Sequence, residues 1–94
     1  MPYFVYILQS QINQSFYKGH TDDLIRRLTE HNSGKVTYSK KFKPWNLVWC
    51  TTKPTKKEAY GLELKLKNLS NERLIEFMIK YPSHHHALLV SVQP

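Results

Sequence analysis

Tyr3-Phe4-Val5-Tyr6-Ile7-Leu8, followed after a polar stretch by Ser15-Phe16-Tyr17-Lys18-Gly19, decides how this chain folds. The first segment is aromatic and β-branched with no breaker, the pattern of a strand covered on both faces. The second is a shorter strand, close enough in sequence to pair with the first as an antiparallel hairpin, and Gly19 and His20 are read as turning the chain out of it. Pro44 marks entry into a third strand, Trp45 to Cys50, because a residue without an N–H suits a strand's first position.

Helices fill the rest. Thr21 or Asp22 caps a helix from about Asp23 to Asn32, with acidic residues in its first turn and Gly34 just past its end. Thr55 with Glu58 three residues on is a capping box opening a helix from Lys56 to Lys67. Asn68 and Leu69 interrupt it. Ser70 caps another helix through about Lys80, stopped at Tyr81-Pro82. The expectation is an α+β domain over residues 1–82, a small three-stranded antiparallel sheet flanked by helices. Residues 83–94 are left as a tail or edge segment, with an apolar run at Ala87 to Val92 and with His84, His85 and His86 solvated.

A chain of 94 residues holds one domain. Fourteen Lys and Arg against seven Asp and Glu leave a formal charge of +7, which points to a polyanionic partner. The cations are spread over several segments and do not line one face of an amphipathic helix, so nucleic acid is favoured over an acidic membrane surface. The apolar runs are too short to cross a bilayer, and the amino terminus lacks the pattern of a secretory signal; no membrane role and a cytoplasmic location are expected. Cys50 is the sole cysteine, which excludes an internal disulfide and a multi-thiolate zinc site and suits a buried, inert thiol.

On a helical wheel, Leu24, Ile25 and Leu28 share an arc with Arg27 and His31 at its edge. Either the Arg27 stem snorkels over the rim to reach water, with His31 a satisfied edge histidine, or the pair serves a site. In the next helix Ala59, Tyr60, Leu62, Leu64 and Leu66 form a wide apolar arc with Glu63 near its middle and Lys67 one turn later. An inward carboxylate costs several kcal/mol unless compensated. It is explained equally by an i, i+4 ion pair with Lys67 and by a cleft in which Glu63 holds a hard cation.

Phe4-Val5-Tyr6 followed by Tyr17-Lys18-Gly19 resembles the pair of tripeptides that names the GIY-YIG nuclease superfamily. The likeness continues through Thr21-Asp22-Asp23-Leu24, Arg26-Arg27-Leu28, His31-Asn32-Ser33-Gly34, Lys43-Pro44 with Leu47-Val48, and Glu58-Ala59 ahead of Glu63 and Lys67. Order and spacing look like the small stand-alone branch. The resemblance implies that Tyr6, Tyr17, Arg27, His31 and Glu63 form one site on a sheet face, with one divalent cation, Mg²⁺ or Mn²⁺, on Glu63. It also implies that Arg27 steadies the attacked phosphate and that a tyrosine orients and deprotonates the water; Tyr6 is taken as that base and Tyr17 as its hydrogen-bonding partner. His31 would orient a tyrosine or bind phosphate. Phe4 and Lys18 stand where the namesake tripeptides have glycine and isoleucine. The asparagine that some members carry after the metal-binding helix has only Asn68 and Asn71 as nearby counterparts.

The function implied is a metal-dependent endonuclease that hydrolyses nucleic-acid phosphodiesters, DNA foremost, in repair or recombination. The alternative is a catalytically weak or inactive nucleic-acid-binding module; a protein-interaction module would leave both charge and site unexplained. Lys35, Lys40, Lys41 and Lys43, on a loop that also carries Tyr38 and Phe42, are the expected substrate contacts. Lys18 joins them but alternates to the strand face opposite Tyr17, away from the reacting phosphate.

Overall fold

A computed structural model describes residues 2–83. The tail from His84, including the three histidines and the Ala87 to Val92 run, lies outside the described residues. Strand β1 (Tyr3–Ser10) is central, with β2 (Phe16–Thr21) and β3 (Trp45–Lys53) antiparallel on either side in the order β2-β1-β3. Helix α1 (Leu24–Ser33) follows β2; α2 (Lys56–Lys67) and α3 (Asn71–Lys80) follow β3. This is the three-stranded α+β architecture expected from the sequence. No helix among the described residues is long and apolar enough to cross a membrane.

The central strand has cores on both sides, as its unbroken apolar run implied. Val5 and Ile7 point to one face and pack with Trp49, Ala59, Leu66 and Leu74, beneath α2 and α3. Tyr6 and Leu8 point to the other and pack with Leu24, Trp45, Leu47 and Cys50, beneath α1. Cys50 is fully buried, and desolvation pushes its thiol up to about 11 despite a hydrogen bond with Ser83.

Several boundaries differ from the sequence reading. Gly19 and His20 do not turn the chain; β2 runs on to Thr21, with Val5 opposite His20 and Phe4 opposite Thr21. Helix α1 is capped by Asp23, whose side chain accepts from the Arg26 N–H at 3.0 Å, and its first turn holds no acidic residue. Thr21 instead accepts from the Asp23 N–H at 3.1 Å. Strand β3 continues past Cys50 to Lys53 through two β-branched threonines. The caps at Thr55 and Ser70 are as read.

Each helix buries one i, i+3, i+4, i+7 stripe. In α1 the stripe is Leu24, Arg27, Leu28 and His31, so Ile25 is exposed rather than inward. In α2 it is Ala59, Leu62, Glu63 and Leu66, which leaves Tyr60 and Leu64 outside. The chemically unusual residues therefore sit within the packed stripes. A side-chain clamp fixes α1 against the sheet: Asn32 donates through Nδ2 to the Trp45 carbonyl at 3.1 Å and accepts the Trp45 N–H at 2.6 Å.

Candidate active site

Tyr6 lies directly opposite Gly19 in the β1–β2 ladder. A Cβ at Gly19 would stand 2.5 Å from the Tyr6 hydroxyl oxygen and 2.6 Å from its Cζ, so only glycine lets the Tyr6 ring cross the β2 backbone there. Gly19→Ala should destabilise the fold by about 1–3 kcal/mol through overpacking. Chemical denaturation measures the loss, and Tyr6→Phe in the same chain should return only part of it, because the ring carbon still clashes.

The Tyr6 hydroxyl, almost fully buried, meets His31 Nε2 at 3.0 Å and is hydrogen-bonded to Arg27. His31 Nδ1 lies 2.8 Å from Ser39 Oγ, and the Ser39 hydroxyl donates to the Val36 carbonyl at 3.4 Å. That order assigns the protons: His31 donates from Nδ1 to Ser39, and its bare Nε2 accepts the Tyr6 O–H. The Tyr17 ring stacks on Tyr6 at 6.3 Å and meets the edge of His31 at 4.5 Å. Arg27 donates to Glu30 at 3.1 Å and keeps a third of its side chain exposed.

Charge follows from burial. Desolvation pushes the Tyr6 phenol above its ordinary range, more than the Arg27 hydrogen bond lowers it, so the free protein holds this proton tightly. Burial acts against the Arg27 cation, but hydrogen bonds to Tyr6 and Glu30 outweigh it and raise its proton affinity. His31 is lowered from 6.5 to about 4, by desolvation first and the Arg27 charge second, and is neutral as the network requires. Its folded pKa lies below the unfolded one, so the stability it contributes is whole above pH 6.5 and is lost as pH falls toward 4. The loss should be on the order of 3 kcal/mol. Unfolding free energies at pH 7 and pH 4.5 should converge for His31→Gln relative to the parent; an equal acid loss in both would remove His31 as the cause.

Glu63 does not join this cluster by contact. It projects from α2, which packs on the opposite face of the sheet, and is buried. Its Oε1 is 2.7 Å from His20 Nδ1 and its Oε2 is 2.8 Å from Lys67 Nζ. The i, i+4 ion pair is thus present, joined by a histidine. Glu63 still reaches the cluster electrostatically, since its charge adds to the rise at Tyr6. The single site expected on one sheet face is two adjoining groups about β2: Tyr6, Tyr17, Arg27 and His31 on the α1 side, and Glu63 with His20 and Lys67 on the α2 side.

Of the expected substrate contacts, Lys35, Lys40, Lys41 and Lys43 are exposed around a single 3₁₀ turn, Lys40–Phe42. Lys18 is half-buried in a cleft beside Tyr17, because the cleft wraps the free edge of β2. Asn68 caps α2 and Asn71 begins α3. Two participants were missed. His20 lies within β2 and not in a turn, and Ser39, fully buried beneath the basic loop, holds His31 and accepts the Trp45 indole N–H on its carbonyl at 2.9 Å.

A family model described as the GIY-YIG catalytic domain matches residues 2–76. The chain belongs to this family. It is 38% identical over 74 residues to the UPF0213 protein BH0048 of Halalkalibacterium halodurans, covering 78% of each chain. It is 35% identical over 72 residues to the UPF0213 protein YazA of Bacillus subtilis, covering 76% of this chain and 72% of that one. The solution NMR structure of BH0048 superposes with a TM-score of 0.56 and 31% identity over 99% of this chain and 98% of the other. Membership in the GIY-YIG family supports a nuclease-type function on nucleic acid, and such nucleases generally use divalent metal ions.

Among the described residues no group of three or more His, Cys, Asp and Glu could hold a metal as an all-protein cage. A hard cation that takes one carboxylate oxygen, with water and phosphate for the rest, needs less. Glu63 fits that demand: it is anchored on one oxygen by His20, while the partner of its other oxygen, Lys67, is half exposed.

Proposed function

We propose that the chain is a divalent-metal-dependent endonuclease that hydrolyses nucleic-acid phosphodiesters, with DNA as its substrate. The observation that carries this reading is the Tyr6–His31–Arg27 cluster, in which a cation that stays charged, a third of its side chain exposed, stands beside a buried tyrosine–histidine pair.

Arg27 binds the scissile phosphate and offsets charge as it builds on the non-bridging oxygens. Tyr6 serves as anchor: its buried hydroxyl orients Arg27 and hands its hydrogen bond to His31. Tyr17 is half-buried, has no hydrogen bond to its hydroxyl among the described residues, and interacts electrostatically with both Arg27 and Lys67. That setting favours Tyr17 over Tyr6 as the group that orients the attacking water. Glu63, steadied by His20, would hold the divalent cation, whose chemistry is to neutralise phosphate charge and acidify bound water. Repair or recombination remains the biological setting proposed with this activity.

The test is incubation with single-stranded, duplex, flapped and branched DNA and RNA, with Mg²⁺, with Mn²⁺ and with chelator. Cleavage that requires the metal is expected. Binding without cleavage on every substrate would leave a nucleic-acid-binding module in its place.

A further inference from the structure

Beside the cluster, Phe16, Tyr17, Lys18, Tyr38 and Lys67 line an open cleft of about 350 Å³ that follows the free edge of β2. Its walls are aromatic. Tyr38 is 72% exposed, and its ring lies 6.1 Å from that of Tyr17 at 46°, so the two form a wedge rather than a closed stack. The cleft's charge is cationic and only partly answered. Lys67 is compensated by Glu63, whereas Lys18 has no carboxylate partner among the described residues. Burial and the nearby Lys67 charge both lower the proton affinity of Lys18, a cost that an incoming anion would relieve.

We infer that this cleft receives one unpaired nucleotide beside the cleaved phosphodiester, its base against the Tyr38 ring and its phosphate on Lys18. The substrate is then a nucleic acid with a single-stranded or extruded nucleotide at the cut. A base inside a duplex is stacked on both faces and shows a protein only its edges. A free ring face exists only where the nucleotide is unpaired or flipped out, and aromatic side chains with nearby cations are the usual means of holding it. Because Tyr17 belongs to both the cleft and the Tyr6–His31 cluster, a base held here adjoins a phosphate held on Arg27. This step rests on the nuclease reading for what that phosphate undergoes, but the binding itself needs no chemistry.

The experiment measures binding with chelator present to oligonucleotides carrying 2-aminopurine, offered as a single strand, as a blunt duplex and as a duplex with one bulged nucleotide. Quenching of the unpaired 2-aminopurine on binding is expected, with the single strand and the bulge preferred over the blunt duplex. Tyr38→Ala should weaken those two by about 5- to 150-fold, the loss typical of one base stacked on an aromatic ring, and leave the blunt duplex unchanged. Tyr38→Phe should restore the affinity. Lys18→Met should reduce the salt slope on the single strand by about 0.7. A uniform loss on all three ligands, or equal affinity for blunt duplex and single strand, would overturn the inference. Quenching by a protein that cuts nothing with Mg²⁺ or Mn²⁺ would retire the nuclease reading and keep the cleft; undiminished cutting of the single strand and the bulge by Tyr38→Ala would do the reverse.

Discussion

Arg27→Ala should cut the cleavage rate by on the order of 10² to 10³ while affinity for nucleic acid changes little. The guanidinium is worth most when charge accumulates on the phosphate, so its removal raises the barrier more than it weakens the ground-state complex. Its hydrogen bonds with Tyr6 and Glu30 hold it in place before substrate arrives, so little reorganisation is needed in the transition state. Arg27→Lys should recover only part of the rate, since an ammonium lacks the planar fork that can serve a tyrosine oxygen and a phosphate together. Comparing single-turnover rates with equilibrium binding separates the two effects. Equal losses in rate and affinity would make Arg27 a phosphate anchor and no more.

Glu63→Gln should abolish metal-dependent cleavage and any stabilisation by Mg²⁺, with nucleic-acid affinity kept. The amide retains size and one acceptor but not the charge a hard cation needs. The structural cost should be small, about 1 kcal/mol, because the Lys67 side chain is half exposed and its ammonium can turn to water. Thermal melts with and without Mg²⁺, run beside a cleavage assay, decide the matter. A stable and fully active Glu63→Gln protein would reduce Glu63 to a partner of Lys67 and His20.

Periodicity and capping made most of the fold legible. The caps at Thr55 and Ser70 stand alone in their neighbourhoods, whereas Thr21, Asp22 and Asp23 are three consecutive residues able to cap, and only tertiary placement chooses among them. Gly19 was misread because glycine signals a turn and a close approach equally well; the crossing Tyr6 ring is thirteen positions away. For the site, Arg27, His31 and Glu63 showed as polar residues on or beside apolar stripes; the GIY-YIG resemblance implied one shared site, whereas Glu63 pairs with His20 and Lys67 on the sheet face opposite Arg27 and His31. His20 and Ser39 carried no such mark. Their partners, Glu63 and His31, are set by folding rather than by spacing, and a serine in a basic loop or a histidine after a glycine reads as solvent-facing.

The Asn32 clamp on Trp45 ties two events together. The carboxamide takes both the N–H and the C=O of that residue, as a neighbouring strand would, so α1 is in effect paired into the sheet's ladder. The first residue of β3 cannot fray while α1 stays docked. The Trp45 amide should therefore exchange with solvent only when the helix that carries Arg27 and His31 departs, which hydrogen exchange can read. One backbone proton thus keeps time for the integrity of the whole tyrosine cluster.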